Sequence, residues 1–182
     1  LRGGTYELSD PIVIERGNDG TSKSPKVISA YPGDERPVLD FNKASNTDGF
    51  TVIADHWKIY GIDITNAPLK GLVINGNYNV VELVNTYANG DTGLQISRFP
   101  GEDRDRWPSH NLILHCTSYD NIDASQNNAD GFAAKLTCGE GNIFRGCISH
   151  NNCDDGWDLY SKLETGPIGA VVIENCVAYG NG

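Results

Sequence analysis

A glycine followed by a large apolar residue recurs along the chain, each time at the start of a short apolar segment. The copies are Gly49-Phe50, Gly71-Leu72, Gly93-Leu94, Gly131-Phe132 and Gly156-Trp157, with spacings of 22, 22, 38 and 25 residues. A second motif alternates with the first: an apolar residue or cysteine precedes an asparagine by five positions, at Val84–Asn89, Cys116–Asn121, Cys147–Asn152 and Cys176–Asn181. Self-similarity with a period of roughly 20 to 50 residues is typical of solenoids.

Two short strand motifs per repeat predict an all-β fold, a parallel β-helix of about seven coils, and one domain over residues 1–182. We expect each asparagine at a turn, where it tolerates left-handed backbone geometry and hydrogen-bonds along the stack. We expect the motif glycine to supply a positive φ. An antiparallel β-sandwich is the rival fold, but the Asn-Gly hairpins it favours are largely lacking.

Charge and hydropathy exclude two classes of protein. The chain has 14 Lys and Arg against 24 Asp and Glu, a formal charge of −10, which repels nucleic-acid phosphates. Its longest apolar runs, such as Ala170–Ile173, are far shorter than the roughly 20 residues of a membrane-spanning helix. We therefore expect neither a nucleic-acid nor a membrane partner.

The chain ends and the cysteines add smaller expectations. The first residues already have the pattern of a strand and turn, and the chain contains no Met, so we expect a piece of a longer protein, truncated at its C-terminal side. The five cysteines form no C-x-x-C pair, and three of them occupy equivalent repeat positions, which favours buried small hydrophobes. A disulfide between Cys138 and Cys153 stays open.

An acidic cluster is the strongest functional signal in the sequence. Asp130 and Asp155 each precede a motif glycine, so a β-helix stacks them on adjacent coils about 5 Å apart. Asp154 and Asp158 flank the second of them, and no Lys or Arg is interleaved. Such carboxylates repel one another, and a hard cation with oxygen ligands, Ca²⁺ rather than zinc, would neutralise them. The alternative is a set of ordinary solvated turn aspartates.

The residues of this cluster carry a resemblance to a known family. The segments are Asn128–Leu136, Gly141–Cys147 and Asp154–Tyr160, with Leu1–Tyr6 and Ala30–Gly33 near the start of the chain. Together they resemble the pectate lyases of polysaccharide lyase family nine. The resemblance implies a right-handed parallel β-helix, secretion, and calcium-dependent cleavage of polygalacturonate by β-elimination. It also implies that Asp130, Asp154, Asp155 and Asp158 hold the calcium.

The sequence departs from the family pattern at the catalytic base. In relatives the base is a Lys in a Gly-Phe-Lys-Leu-type segment on the coil after the Asp-Asp-Gly coil. The repeat places the glycine of that coil about 25 residues beyond Gly156, at Gly182. We therefore expect the base beyond Gly182, and a fragment that holds the metal site without the proton acceptor. Lys135 and Lys162 lack the register of the base, so each is expected to be a solvated or substrate-side lysine.

The remaining expectations concern substrate, partners and alternatives. Arg98, Arg104 and Arg106, in the inserted segment between two repeats, are candidates for uronate contacts, against a reading as solvated charge. His150 occupies a position filled by tyrosine in other coils, so we expect a repeat-position side chain. The full-length protein is expected to be a monomer. Two alternatives stay open: a non-catalytic polysaccharide-binding or adhesin β-helix, and a lyase acting on rhamnogalacturonan.

Overall fold

Three parallel sheets form the faces of a solenoid in the computed structural model, which describes residues 1–182. Sheet 1 has the order β1-β4-β7-β10-β13-β16-β19, with β1 (Gly4–Glu7), β4 (Pro37–Asp40), β7 (Asp63–Thr65), β10 (Asn85–Tyr87), β13 (Thr117–Tyr119), β16 (Ile148–His150) and β19 (Val177–Tyr179). Every third strand returns to the same sheet, which is the connectivity of a β-helix.

The other two faces have six strands each. Sheet 2 contains β2 (Ile12–Ile14), β5 (Phe50–Val52), β8 (Leu72–Ile74), β11 (Leu94–Ile96), β14 (Phe132–Ala134) and β17 (Trp157–Asp158). Sheet 3 contains β3 (Lys26–Ser29), β6 (Trp57–Tyr60), β9 (Val80–Glu82), β12 (Leu112–Leu114), β15 (Asn142–Arg145) and β18 (Val171–Glu174). All strand pairs within the sheets are parallel, which confirms the predicted β-helix and excludes the antiparallel sandwich.

The glycine motif places the core residues of sheet 2. All five copies begin a strand of this sheet, and Phe50, Leu72, Leu94 and Phe132 pair in register and are fully buried. Stacking of equal positions on successive coils buries a continuous apolar interior, which no single coil encloses alone. The strand β2 joins the same sheet without the glycine motif, so the sequence pattern missed it.

The motif glycines are needed for space and not for a positive φ. Neither Gly93 nor Gly131 has a positive φ, contrary to the expectation from the sequence. A Cβ at Gly93 would lie 2.0 Å from Ser118 Oγ, and one at Gly131 would lie 1.9 Å from Ser149 Oγ. The turn therefore passes so close to sheet 1 that no side chain fits there.

The predicted asparagine ladder is present. Asn89 donates to Asn121 over 2.9 Å, Asn121 donates to Asn152 over 2.8 Å, and Asn152 donates to Asn181 over 2.8 Å. The left-handed residue is the one before each asparagine: Ala88, Asp120, Asn151 and Gly180 have φ between 54° and 64°. The asparagine itself does not adopt that conformation, so the expectation about its backbone was wrong.

Further ladders line the coils. Tyr87, Tyr119, His150 and Tyr179 stack with ring centroids 4.9 to 5.0 Å apart, which confirms His150 as a repeat-position side chain. A second asparagine ladder, unmarked in the sequence analysis, runs through Asn79, Asn111 and Asn142 near sheet 3. This second asparagine ladder satisfies buried backbone N–H groups of the turns, such as those of Asn79 and Asn111.

The cysteines and the inserted segment complete the fold. All five cysteines are free, so Cys138 and Cys153 form no disulfide, and burial raises the pKa of Cys138 to about 11. The insertion between β11 and β12 contains one 3₁₀ turn, Arg104–Arg106, and it buries Trp107 despite its polar sequence. No helix in the structure is long and apolar enough to cross a membrane.

Candidate metal centre

Three of the four predicted acidic residues meet at one end of sheet 2. Asp130 precedes β14 and Asp155 precedes β17, and these strands are neighbours. Carboxylate oxygens of Asp130, Asp154 and Asp155 all lie within 4.8 Å of one another. The backbone N–H of Gly131 donates to the Asp155 carbonyl over 2.9 Å, which sets the two turns in register. The stacking of Asp130 on Asp155 is therefore the one expected from the repeat.

The three carboxylates differ in burial. The side chain of Asp130 is completely buried, Asp154 is half-buried and Asp155 is exposed. Asp130 Oδ2 accepts a hydrogen bond from Thr92 Oγ1 over 3.0 Å, and Asp130 Oδ1 accepts one from the Asp155 backbone N–H over 3.3 Å. A fixed inner carboxylate and two outer ones make an oxygen-lined cluster that opens to the surface.

The electrostatic cost of this arrangement is visible in two pKa values. Burial raises the pKa of Asp130, an effect that hydrogen bonding and attraction by Lys135 partly offset. The pKa of Asp154 is also raised, first by burial and then by repulsion from Asp155 and Asp158. Both shifts mean that negative charge at this site is disfavoured until a cation joins it.

Lys135 lies inside the cluster and is not the solvated lysine that was one of the two expectations. Its Nζ is 2.6 Å from Asp130 Oδ2 and 2.9 Å from Asp158 Oδ2, and only 14% of its side chain is exposed. Burial alone would lower the pKa of Lys135, but the hydrogen bonds that its ammonium donates to both carboxylates raise it overall. A cation is thus interleaved among the acids after all.

Strand alternation is the signal that would have found Lys135. Ala133 pairs with Asp158 across β14 and β17, so these two residues share a face of the sheet. Side chains alternate with a period of two, which puts Lys135 on the same face as Ala133. The small Ala133 leaves room for the lysine to reach Asp158.

Asp158 is related to the other acids through Lys135. Besides the ion pair, Asp158 Oδ1 accepts a hydrogen bond from the Tyr160 backbone N–H over 2.8 Å. Its carboxylate is outside the group of three whose oxygens converge. The structure therefore brings Asp130, Asp154 and Asp155 together, and Asp158 shares the cationic partner Lys135 with Asp130.

Asp123 orders the segment that leads to Asp130, and the sequence analysis missed it. Its Oδ1 accepts hydrogen bonds from the backbone N–H groups of Asn127, Asn128 and Ala129 over 3.0 to 3.2 Å. The side-chain hydrogen bond from Ser125 contributes most to lowering the pKa of Asp123. An Asp followed two positions later by Ser is a signal for such a turn.

The donor set fits a hard divalent cation. All three converging groups are carboxylates, and neither a thiolate nor an imidazole joins them. Oxygen-only ligands of this kind suit Ca²⁺, and the exposure of Asp154 and Asp155 leaves one side open to further oxygen ligands. Asp130, Asp154 and Asp155 are the residues that fit the ion directly.

Only one of the three predicted arginines lies beside sheet 2. Arg98 follows β11 and lines a surface groove with Gln95. Arg104 donates to the Pro167 carbonyl over 2.7 Å and lies over the Trp107 ring at 4.6 Å, in a different depression. Arg106 is exposed within the 3₁₀ turn and has no ion-pair partner. The three side chains do not form one site.

Comparison with known proteins agrees with the coil architecture. The family described as "Pel9A-like, right handed beta helix region" matches residues 1–182. The chain belongs to this family. The solved structure of pectate lyase Pel9A superimposes with a TM-score of 0.85 at 30% identity, covering 100% of this chain and 45% of that one. The right-handed parallel β-helix predicted from the sequence is confirmed.

Two relatives of the Pel9A-like chain are named Pectate lyase L. The protein from Thermoclostridium stercorarium is 54% identical over 185 residues, which cover 100% of this chain and 15% of the relative. The protein from Paenibacillus polymyxa (strain SC2) is 49% identical over 187 residues, which cover 100% of this chain and 41% of the relative. The chain thus spans less than half the length of these relatives. A rhamnogalacturonan lyase structure, at 23% identity and a TM-score of 0.77, shares the fold alone.

Proposed function

We propose that this chain is the calcium-binding β-helix part, residues 1–182, of a secreted, monomeric pectate lyase that cleaves polygalacturonate by β-elimination. The observation that carries the proposal is the convergence of Asp130, Asp154 and Asp155 within 4.8 Å. That convergence occurs in a chain 54% and 49% identical to proteins named Pectate lyase L, which supports the substrate class.

Each acidic residue has a separate role in this proposal. Asp130, buried and bonded to Thr92, is the fixed inner ligand, and Asp154 and Asp155 are outer ligands that also face the substrate. When bound, calcium would ligate the substrate carboxylate, and its positive charge would offset the negative charge that develops beside that carboxylate. Asp158 acts through its ion pair with Lys135, so we assign it a supporting role and no direct contact with the calcium ion.

A bound calcium ion would also reduce the charge repulsion between the protein and its substrate. The chain carries a formal charge of −10, and polygalacturonate is itself a polyanion. Direct approach of the two is therefore unfavourable without a bridging positive charge. Lys135 neutralises part of the cluster, but its ammonium is already held by Asp130 and Asp158, so it is not free to bind a uronate.

The proton acceptor is a separate group in this proposal. β-Elimination removes the proton next to the uronate carboxylate and expels the glycosidic oxygen, so a base with a free lone pair is required. Lys135 does not suit that task, because the two carboxylates favour its protonated form. We place the base beyond Gly182, on the coil that the repeat puts next to Asp158.

A calorimetric calcium titration tests the metal site on this chain. The wild type is compared with the double variant Asp154→Asn, Asp155→Asn, and with the control Asp103→Asn, Asp105→Asn, whose aspartates are exposed in the inserted segment. We expect saturable calcium binding in the wild type and the control, and its loss in the first double variant, because two outer ligands are gone. Folded protein without calcium uptake would contradict the proposal and favour the non-catalytic polysaccharide-binding alternative.

Activity is tested on the complete natural chain that contains these residues. We expect unsaturated uronides to form from polygalacturonate, and chelation of calcium or the Asp154→Asn, Asp155→Asn change to abolish them. An intact protein that binds calcium but releases no such product from polygalacturonate would overturn the lyase assignment, while product from rhamnogalacturonan alone would replace the substrate.

A further inference from the structure

A groove on the outer side of sheet 2 consists of two adjoining depressions that share lining residues. Its first part, about 390 Å³ in volume, is lined by residues that include Val73, Gln95, Arg98 and Phe99. Its second part, about 640 Å³, shares Lys70 and Gln95 with the first and extends to Lys135. We call the two parts together the sheet 2 groove. Lys135, which contacts Asp130 and Asp158, connects the second part to the candidate metal centre, whereas Asp154 and Asp155 line a separate depression.

Gln95 lies at the junction of the two parts with an unused hydrogen-bond acceptor. The residue is only 6% exposed, and its Nε2 donates to Ser97 Oγ over 2.9 Å. Its Oε1 is buried and has no hydrogen-bond partner. An acceptor withdrawn from water without a partner is costly, and such groups in native proteins call for a reason. A ligand that brings a donor into the groove supplies that reason.

The repeat shows that the amide is not needed for folding. Gln95 pairs in register with Val73 on the preceding coil, and Val73 pairs with Thr51. On the following coil the same position is Ala133. Smaller or apolar residues therefore occupy this position in neighbouring coils, and the glutamine is a departure from the repeat where the two parts of the groove meet.

The chemistry of the acceptor limits what the groove binds there. An amide oxygen accepts only from a donor, so it recognises a hydroxyl group and not a carboxylate or phosphate oxygen. Gln95 is separated from Asp158 by two strand spacings through Ala133, about 10 Å at 4.8 Å per strand. A short oligosaccharide with one ring at the acidic cluster extends over that distance.

We propose that Gln95 accepts a hydrogen bond from a sugar hydroxyl and so forms a subsite for an acidic oligosaccharide, one coil from Asp130 and two coils from Asp155. Val73 and Phe99 supply apolar surface for the C–H faces of a ring, and Arg98 supplies a cation beside it. The proposal rests on the proposed function, which places a uronate at the acidic cluster. It adds a residue that selects a hydroxyl-bearing neighbour of that uronate.

The variant Gln95→Val tests this subsite, because it installs the side chain that Val73 contributes one coil earlier. Binding of tetragalacturonate in the presence of calcium is measured by calorimetry for the wild type and the variant. We expect the dissociation constant to rise about threefold to tenfold, the effect of one hydrogen bond to a neutral group. The control is Thr117→Val on sheet 1, whose side chain is outside the groove and makes no hydrogen bond.

The outcomes separate this inference from the proposed function. Weaker tetragalacturonate binding in Gln95→Val, with unchanged calcium uptake and unchanged binding in Thr117→Val, supports the subsite. Equal affinity in Gln95→Val and wild type overturns the subsite and leaves the calcium site intact. A wild type that takes up calcium but binds no tetragalacturonate overturns both the substrate class and the subsite. Comparison of thermal unfolding confirms that Gln95→Val retains the wild-type fold.

Discussion

Two stacks of side chains on successive coils follow opposite electrostatic rules. In the asparagine ladder, Asn89, Asn121 and Asn152 each pass a hydrogen bond to the next coil over 2.8 to 2.9 Å. In the acidic stack, Asp130 and Asp155 occupy adjacent coils in the same way, but a carboxylate has acceptors only. The first stack satisfies itself, and the second requires a donor or cation from outside.

The asparagine ladder and the acidic stack differ in charge and not in their position in the repeat. The β-helix supplies both with the same spacing of about 4.8 Å. Lys135 provides one cation to the acidic stack, and the raised pKa values of Asp130 and Asp154, which burial causes first, show that the demand is not fully met. An acidic stack whose charge the fold does not fully neutralise is a site where a cation can bind.

The largest effect is expected from Asn121→Asp, which puts a carboxylate into the amide ladder. Asn121 Nδ2 donates to Asn152 Oδ1 over 2.8 Å and to Ser118 Oγ over 3.1 Å, and the residue is fully buried. The variant loses both donors and places two acceptors face to face. We expect the free energy of unfolding to fall by about 3 kcal/mol, measured by urea denaturation.

The control for this change is Asn151→Asp, at an exposed neighbouring position with φ 56°. Asp tolerates that left-handed conformation, so we expect a change within about 0.5 kcal/mol. Equal stability of Asn121→Asp and the wild type would show that the ladder does not depend on amide donors, and the contrast between the two stacks would fail.

The sequence predicts the scaffold better than the site, and particular residues show why. The Gly-apolar and Asn motifs recur, so the register of Phe50 on Leu72 and of Asn121 on Asn152 follows from the spacing. Asp130 and Asp155 were placed by the same register. Lys135 was not, because its role depends on which face of β14 it shares and on the space above Ala133.

Two other features also escaped prediction for physical reasons. Asp123 acts through backbone N–H groups of Asn127, Asn128 and Ala129, and a sequence does not display which loop atoms converge on a carboxylate. The motif glycines were expected to have positive φ, whereas the structure needs them because Ser118 and Ser149 approach too closely for a Cβ. A close approach between two coils depends on the tertiary structure, so the sequence pattern does not display it.

The second effect in size concerns the cation that the acidic stack already has. Lys135→Met keeps the stem of the side chain and removes the ammonium between Asp130 and Asp158. In calcium-free buffer we expect the free energy of unfolding to fall by about 2 kcal/mol, because a buried carboxylate loses its partner in a partly solvated site. Urea denaturation measures the change, and added calcium is expected to restore part of the loss.

Lys162→Met is the matched control, because Lys162 is exposed and has no ion-pair partner. We expect its stability to stay within about 0.5 kcal/mol of wild type. If Lys135→Met were as stable as Lys162→Met without calcium, Lys135 would not be neutralising the acidic stack, and the cluster would have to be regarded as solvated.

The smallest expected effect is a change in stability with pH, which distinguishes the acidic stack from the asparagine ladder. Burial, followed by repulsion from Asp155 and Asp158, raises the pKa of Asp154 in the folded state. A raised pKa contributes stability below the unfolded value of about 3.9, and that stability is lost as pH rises through the folded value. Without calcium, wild-type stability should therefore decline more than that of Asp154→Asn as the pH rises above about 4.

Urea denaturation at a series of pH values measures this difference, which we expect to stay below about 1 kcal/mol because Asp154 is half exposed. Saturating calcium should reverse the sign in the wild type, since the ion binds the ionised carboxylates and stabilises the folded state more as pH rises. Asp154→Asn, which lacks an outer ligand, should show a weaker reversal. Identical pH profiles for the two proteins, with and without calcium, would mean that Asp154 belongs to neither the repulsive stack nor the metal centre.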